Sequence, residues 1–389
     1  MQDFIYYSPT KIYFGPSYLD QIGKIINEYG YKNILLVYGS TSAIKSGLLS
    51  KLENLISAEG IKVTLLGKVK PNPSLKKVEE GLAIAKDKNI DFILAVGGGS
   101  VIDTAKAIAC GFYYDGPVWD FSIHKVTPKN ALKIGTVLTH SAAGSELSNS
   151  CVITNEDLKI KSGFNSDIIR PLFSFLNPVL TYTLTPYQTA CGIVDMIMHT
   201  LERFLTDVDN LYFEEEIALG LIKSVMKSAA ILKNNSTDYN ARANLMIASS
   251  FSHNGLTGVG GKFYFTVHKL EHELSGLYDN ISHGEGLAVL FPAWAMTVYR
   301  YLPHKFAVFA RSVFNVCEQD DLKASKLGIE KIQNYFTSLG MHQRLRDLGV
   351  KIDDLVFMAN RLTENNQTSV NGFVKLDFEK VLTIFKLSY

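Results

Sequence analysis

The sequence predicts an α/β protein in its first half, with a parallel sheet that carries helices on both faces, and an all-α second half. Up to about residue 139, short apolar runs ended by glycine or polar residues alternate with amphipathic helical stretches. After about residue 184 the strand patterns fade and long helical patterns follow one another. We therefore expect an α/β domain over residues 1–184 and a helical domain over residues 185–389.

Individual elements follow from the period of the apolar residues. Residues 1–15 carry β-type residues around Pro9 and predict short edge strands. Continuous apolar runs predict buried strands at 33–38 and 91–96, and further strands are predicted at 61–66 and 134–139, the last of which we expect to end the series of strands. The predicted helices cover residues 17–29, 43–57, 75–88, 101–109, 186–205, 211–233, 238–253, 261–275, 285–300, 304–316, 321–339 and 375–386.

Composition excludes several classes of protein. Lys and Arg number 39 against 38 for Asp and Glu, so the charge balance favours neither a nucleic acid nor an anionic membrane as partner. No apolar run approaches the roughly 18 residues of a membrane span, and the N-terminus lacks a secretion signal. The four cysteines are scattered without a C-x-x-C pair, which predicts buried free thiols in a reducing compartment. We expect a cytoplasmic protein.

A glycine-rich turn follows the predicted strand at 91–96. Gly97, Gly98, Gly99 and Ser100 open the helix that begins at Val101, so backbone N–H groups at a helix N-terminus would face any ligand held there. Ser100 and Asp103 have the spacing of a capping box, which would fix the start of the helix. The pattern favours a phosphate group at the carboxyl edge of the sheet. A glycine turn without a ligand is the alternative.

The turn after the strand at 33–38 contains Gly39, Ser40, Thr41 and Ser42. No acidic side chain stands there to repel the 2′-phosphate of an adenosine ribose, so this turn is compatible with NADP(H). An ordinary helix N-cap would use the same residues, because Ser and Thr are favoured caps.

Five potential metal ligands occur in two clusters in the second half. Asp195 and His199 are four residues apart in an apolar helix, so they project from one face. His268 and His272 have the same spacing, and His283 follows shortly after them. A buried carboxylate and several buried imidazoles need partners, and a metal ion held by two helices and a turn would supply them. Hydrogen-bonded core side chains are the alternative.

Taken in order, the motifs of this chain resemble the iron-containing (group III) alcohol dehydrogenases, in particular the branch of butanol dehydrogenases and aldehyde reductases. The resemblance covers nearly the whole chain. It rests on segments 9–15, 71–73, 97–106, 143–146, 177–178, 192–195, 253–255 and 283–284, with His199, Glu202, His268, His272, Tyr278 and Asp279.

The resemblance implies a dinucleotide-binding α/β domain, a helical domain and a metal in the cleft between them. The metal would be Fe²⁺ or Zn²⁺, and its ligands would be Asp195, His199, His268 and His283. The cofactor would be NADP(H) in preference to NAD(H). Its contacts would be Gly39, Ser40, Ser42, Asn72, Gly97, Gly98, Gly99, Ser100, Asp103, Thr139, Ser141 and Leu180, with Thr139 and Leu180 beside the nicotinamide.

His272 would lie near the substrate, where it either relays a proton or only orients His268. One extra residue separates His272 from His283 compared with the usual loop of the family, and Phe263 and Phe265 stand where the family often has Trp. The implied activity interconverts small uncharged primary alcohols and aldehydes, in a homodimer. We expect Ile193, Met196, Ile197, Phe263, Phe265 and Leu277 to line the substrate pocket.

Three other functions stay open at this point. A lyase of the dehydroquinate synthase type would need several Lys and Arg around its substrate, and the ligand helices offer few. A polyol oxidoreductase similar to glycerol dehydrogenase would use the same site. A protein that binds metal and nucleotide without catalysis is disfavoured, because the ligand set and the glycine turn are both present.

Overall fold

The computed structural model describes residues 1–39 and 42–389, without the side chain of Ser42. The strands, β1 to β8 in chain order, are Lys11–Phe14, Asn33–Gly39, Lys62–Val69, Phe92–Gly97, Lys133–Leu138, Ser150–Asn155, Ile160–Asn165 and Phe173–Leu176. The helices, α1 to α15, are Ile22–Glu28, Ser42–Lys45, Leu48–Ser57, Leu75–Asp87, Gly99–Gly111, Trp119–Ser122, Pro186–Phe204, Tyr212–Asn234, Tyr239–His253, Thr266–Leu277, His283–Val298, Pro303–Phe314, Asp321–Ser338, Ile352–Leu362 and Phe378–Ser388.

Six of the described strands form one parallel sheet in the order β1-β8-β5-β4-β2-β3, which confirms the predicted fold class. The expectation that the strand at 134–139 ends the series of strands is wrong. β8 lies between β5 and β1, and it was missed because Phe173–Leu176 is a run of only four residues. β6 and β7 form an antiparallel hairpin that was also missed, because their residues are mostly polar or only partly buried.

Alternate residues of each central strand serve two separate cores, as a sheet covered on both faces requires. In β4, Phe92, Leu94 and Val96 pack in the core that includes residues of α1 and α3. Ile93 and Ala95 face the opposite core, which includes residues of α4 and α5. All of these strand residues are fully buried, which is why the sequence shows a continuous apolar run here.

The described residues divide into two compact units. The unit that contains the sheet comprises Tyr7–Leu184 and Asn234–Asn254, and it therefore includes α9. The helical unit comprises Met1–Tyr6, Thr185–Lys233 and Gly255–Tyr389. The boundary at residue 184 therefore separates the two units except for residues 1–6, which lie in the helical unit, and residues 234–254, which lie in the unit that contains the sheet.

Most helices of the second half begin and end within a few residues of their predicted bounds. The exceptions are α10, which begins at Thr266 rather than at 261, and α14, which was not predicted. Among the described residues, no helix is both long and apolar enough to cross a membrane. Cys110, Cys151 and Cys191 are buried, but Cys317 is exposed, which corrects the expectation of four buried thiols.

Candidate active site

Helix α7 carries the first two candidate ligands through the interior of the helical unit. Its start is encoded locally: Thr185 and Gln188 form a capping box, and Pro186 occupies the first turn. Every residue from Thr189 to Phe204 is buried. Asp195 and His199 therefore lie in apolar surroundings, 3% and 5% exposed, where polar groups need partners.

The side chains of α10 and α11 converge on Asp195. Nε2 of His268 lies 3.7 Å, and Nε2 of His283 lies 3.6 Å, from Oδ1 of Asp195. The rings of His199 and His268 are 4.4 Å apart between centroids. Ligands bound tetrahedrally at about 2.1 Å stand about 3.4 Å from one another, so these separations suit one shared cation.

Two buried atoms at this point of convergence make no hydrogen bond to the described residues, although Nδ1 of His199 lies 3.1 Å from Oδ1 of Asp195. Within the described part of the chain, neither Oδ1 of Asp195 nor Nε2 of His268 makes a hydrogen bond. Asp195, His199 and His268 present ligand atoms within 4.8 Å of one another, which is the donor set of a Zn²⁺ or Fe²⁺ site. The residues present therefore fit a divalent metal.

The other ring nitrogen of each histidine contacts an acceptor. Nδ1 of His199 lies 3.0 Å from the backbone oxygen of Asp195. Nδ1 of His268 is hydrogen-bonded to Glu202, and Nδ1 of His283 to Glu271. An ionised carboxylate only accepts hydrogen bonds, so Nδ1 donates in these two pairs, and Nε2 is left as the ring nitrogen that can bind a metal.

Close packing of α11 against α7 brings His283 to this point. A Cβ atom at Gly284 would stand 2.2 Å from the backbone oxygen of Cys191, so only glycine allows the approach. Cys191 lies one turn before Asp195 on α7. The His283-Gly284 motif therefore combines a candidate ligand with the backbone contact that places it.

His272 lies beside His283, with 5.7 Å between the ring centroids. Glu202 is hydrogen-bonded to Nδ1 of His268 and therefore contributes to the orientation of that ring. Glu271, His272 and His283 form a second group whose ligand atoms lie within 4.8 Å of one another. The role of His272 stays a prediction.

Charges in this cluster compensate each other. Burial lowers the pKa of His199 to about 4, so its ring is neutral at neutral pH, as a metal ligand must be. Burial by itself would raise the pKa of Asp195 and lower that of His268. The attraction between these two groups and their other charged neighbours outweighs burial in both cases. The nearby imidazoles of His199 and His283 hold the pKa of Asp195 well below its usual range. The carboxylates of Glu202 and Asp195 raise the pKa of His268 to about 9, so a metal ion bound here would displace a proton from this ring.

The predicted cofactor residues lie at the carboxyl ends of neighbouring strands. Gly97 ends β4 and accepts a hydrogen bond from the backbone N–H of Thr139, which follows β5. Leu180 follows β8, and Gly39 ends β2. Because these strands are adjacent and parallel, the sheet brings the residues to one edge, where open α/β sheets bind nucleotides. Ser40 and the side chain of Ser42 lie outside the described residues.

The start of α5 differs from the predicted capping box. The helix begins at Gly99 with Gly98 as N-cap, and no described side chain caps it. The carboxylate of Asp103 is buried and accepts hydrogen bonds from Oγ of Ser145, at 2.6 Å, and from the N–H of Val152, at 3.0 Å. The N–H groups at this helix start thus have no side-chain cap, which suits an anion.

Two other predicted cofactor residues have definite surroundings. Oγ of Ser141 is buried and makes no hydrogen bond within the described residues. Asn72 follows β3 with a positive φ of 53°, and its Oδ1 accepts a hydrogen bond of 3.0 Å from Lys161. Lys161 comes from the β6–β7 hairpin and was not identified from the sequence.

Two residues of the expected pocket wall lie on the other side of α7 from Asp195. Ile193 and Ile197 are each two residues from Asp195, so they point about 160° away from it around α7. Phe265 is better placed, with its ring centroid 5.1 Å from that of His268 and 5.9 Å from that of His199. The guanidinium of Arg203 lies over Phe265, 4.6 Å from the ring centroid, and Nη1 donates to the backbone oxygen of His199.

Sequence comparisons agree with this combination of fold and site. Residues 9–178 match the family described as iron-containing alcohol dehydrogenase. Residues 189–389 match the C-terminal domain of the Fe-containing alcohol dehydrogenase family. Together the two matches span most of the chain. The chain belongs to the iron-containing alcohol dehydrogenase family, and it is an alcohol dehydrogenase of that type.

The similarity to individual proteins extends over the full length, or nearly so, of this chain and of its relatives. NADH-dependent butanol dehydrogenase A of Clostridium acetobutylicum is 37% identical over 100% of both chains. NADPH-dependent aldehyde reductase YqhD of Escherichia coli is 30% identical, with 98% of each chain covered. The crystal structure of NADH-dependent butanol dehydrogenase A from Thermotoga maritima, 37% identical, superimposes with a TM-score of 0.96 and covers 100% of this chain and 99% of its own.

Proposed function

We propose that this protein interconverts small uncharged primary alcohols and aldehydes by hydride transfer with NAD(P)(H), and that it depends on a divalent metal. The observation that carries the proposal is the convergence of Nε2 of His268 and Nε2 of His283 on Oδ1 of Asp195. The names of the similar proteins, which are butanol dehydrogenases and an aldehyde reductase, support the substrate class.

Asp195, His199, His268 and His283 would hold Fe²⁺ or Zn²⁺. Such an ion supplies Lewis acidity, which polarises a carbonyl oxygen and stabilises the negative charge of an alkoxide. The nicotinamide of the cofactor supplies or accepts the hydride. The imidazole of His272, next to His283, would exchange a proton with the substrate oxygen. Phe265 would shield the ligand imidazoles from water.

The cofactor would bind at the carboxyl edge of the sheet, with Gly97, Gly98, Gly99 and Ser100 around its pyrophosphate. The absence of an acidic residue in the segment 39–42 of the sequence favours NADP(H) over NAD(H). The similar proteins are named for both cofactors, NADH in the butanol dehydrogenases and NADPH in the aldehyde reductase. Kinetic constants with each cofactor decide the preference.

An uncharged substrate is favoured because the one arginine on α7 is already engaged. Arg203 is buried, donates to a backbone oxygen of its own helix and lies against Phe263 and Phe265. A carboxylate or phosphate entering this region would lose its hydration without gaining a new partner. Each buried methylene of an aldehyde should add about 0.8 kcal/mol, roughly fourfold in kcat/KM, until the pocket is full.

The test measures metal content together with NADPH and NADH oxidation over a series from acetaldehyde to butyraldehyde, with and without chelator. We expect kcat/KM to rise along the series and then level off, and activity to disappear with the metal. His199→Ala and His283→Ala should lose both metal and activity while the helical content of the protein is kept. Preference for glycerol or for a phosphorylated compound would contradict the proposed substrate class.

We also propose a homodimer. β1 stands at one edge of the sheet, and an edge strand offers unpaired N–H and C=O groups to a second chain. Light scattering should give a mass of about twice 43.2 kDa. A mass equal to that of one chain at micromolar concentration would contradict the dimer.

A further inference from the structure

Two buried glutamates stand behind the candidate metal ligands. Glu202 is 5% exposed and lies on α7, three residues after His199. Glu271 is fully buried and lies on α10, three residues after His268. The proposed reaction gives neither side chain a role, although a buried carboxylate is costly to retain.

Each carboxylate extends from one ligand-bearing helix to a histidine of the next. Glu202 of α7 contacts Nδ1 of His268 on α10. Glu271 of α10 contacts Nδ1 of His283 on α11. The two contacts therefore link all three helices that carry candidate ligands, in the order α7, α10, α11.

These hydrogen bonds determine which ring nitrogen can bind a metal. A neutral imidazole has one N–H group, and a carboxylate accepts that hydrogen at Nδ1. The lone pair then stays on Nε2, which in both rings faces Asp195. An imidazole with the opposite tautomer would point its N–H group at the metal and could not bind it.

Glu202 has a second task that Glu271 lacks. Its carboxylate also accepts hydrogen bonds from the backbone N–H groups of Val267, at 2.7 Å, and His268, at 3.2 Å. These groups lie in the first turn of α10, whose N-cap residue Phe265 provides no side-chain cap. A carboxylate at a helix N-terminus is favourable, so Glu202 fixes both the helix start and the ring.

We propose that Glu202 and Glu271 are positioning residues that accept hydrogen bonds from Nδ1 of His268 and His283 and so direct Nε2 of both rings at Asp195. This inference rests on the proposed metal dependence. It goes beyond that proposal because it assigns the preorganisation of the site to two residues that would not touch the metal.

The experiment compares the wild type with Glu202→Gln, Glu271→Gln and the matched control Glu273→Gln. Glu273 is also a buried glutamate of α10, but it pairs with Arg361, at 2.9 Å, rather than with a histidine. Each protein is stripped with a chelator and titrated with Zn²⁺ in competition with a chromophoric chelator. The absorption bands of Co²⁺-loaded samples report the coordination geometry, and thermal unfolding of the metal-free proteins reports the fold.

A glutamine side chain has one acceptor oxygen in place of two and no negative charge, and its NH₂ group can donate to Nδ1 and stabilise the wrong tautomer. We therefore expect Glu202→Gln and Glu271→Gln to weaken Zn²⁺ binding about 10- to 100-fold and to change the Co²⁺ spectrum. Glu273→Gln should leave both unchanged. Glu202→Gln alone of the two positioning variants should also lower the Tm of the metal-free protein, because the start of α10 loses a negative charge and one of its two acceptor oxygens.

The possible failures are distinguishable. A wild type that takes up no Zn²⁺ or Co²⁺ would refute the proposed metal dependence itself. A wild type with one tightly bound ion, and a Glu271→Gln variant with the same affinity and spectrum, would overturn the inference while leaving the proposed function intact. Two bound ions in the wild type, with one lost in Glu271→Gln, would also overturn it, because Glu271 would then be a ligand of a second metal with His272 and His283.

Discussion

The first turn of α11 packs against the backbone of α7 at Gly284, and this contact allows a direct test of how the site is assembled. In Gly284→Ala the new Cβ atom would stand 2.2 Å from the backbone oxygen of Cys191 and 2.7 Å from its Cα. Ordinary contacts of this kind begin near 3.4 Å. The two helices must therefore separate by about 1 Å, because backbone atoms cannot rotate out of the way.

The consequences of this shift are large at the metal and moderate for the fold. Overpacking of a core typically costs about 1–3 kcal/mol of the free energy of unfolding. Metal sites tolerate ligand displacements of only about 0.2 Å, and His283 directly precedes Gly284, so one ligand should be lost. We expect metal affinity to fall about 100-fold or more, with activity falling in parallel.

The assay combines metal content after gel filtration with urea unfolding of the metal-free protein. Gly220→Ala on α8 is the matched control, because a Cβ atom there meets nothing within 4 Å. That control should bind metal like the wild type and gain about 0.5–1 kcal/mol of stability from helix propensity. If Gly284→Ala kept the metal content and the urea midpoint of the wild type, the close approach of α7 and α11 would not be what places His283.

Three further predictions concern other parts of the chain. Lys106 is fully buried, and its Nζ donates to the backbone oxygens of Ser145, Ser148 and Ser150, at 2.7 to 3.0 Å. Lys106→Met leaves these oxygens without a donor and should lower the free energy of unfolding, measured with urea, by about 3 kcal/mol or more. Burial raises the pKa of Glu214 to about 8, so the folded state holds this proton more tightly than the unfolded chain does. Stability should therefore fall by a few kcal/mol as the pH rises from about 4.5 to about 8, and Glu214→Gln should remove that dependence from urea midpoints measured across the range. Ser40→Asp should reverse the ratio of kcat/KM for NADPH and NADH through like-charge repulsion and a lost hydrogen bond, together worth about 2–3 kcal/mol, and a wild type that uses both cofactors equally would contradict it.

Elements that local patterns specify were predicted well. β2 and β4 are buried on both faces, so their apolar runs are continuous. The start of α7 follows from the Thr185-Pro186 sequence with Gln188 three residues after the cap. Predictions from short or mixed patterns were wrong. β8 was missed because it has only four residues. Asp103 was expected to take part in a capping box of α5, but its carboxylate accepts a hydrogen bond from Ser145. A local spacing cannot show that a more distant partner competes for the same side chain.

Long-range pairing also decided which helix joins which unit. The helical pattern of α9 resembles its neighbours in sequence, yet the helix belongs to the unit that contains the sheet. Oγ of Ser249 accepts a hydrogen bond of 2.9 Å from the backbone N–H of Ala142, and Oγ of Ser250 donates one of 2.6 Å to the carboxylate of Glu146. Serine side chains in a helix predict neither partner, because both lie about 100 residues earlier in the chain.

By itself, the sequence determined the fold class, the family and the chemical types of the candidate ligands, because helical spacing and turn residues are local properties that one segment encodes. Only the tertiary structure decided that Nε2 of His268 and of His283 meet at Asp195, and that Glu202 and Glu271 hold the opposite sides of those rings. These contacts join α7 to the later pair of helices α10 and α11, and their distances depend on how closely the backbones pack. A spacing of four residues predicts a shared helix face, but the position of that face relative to another helix is set by the packed core.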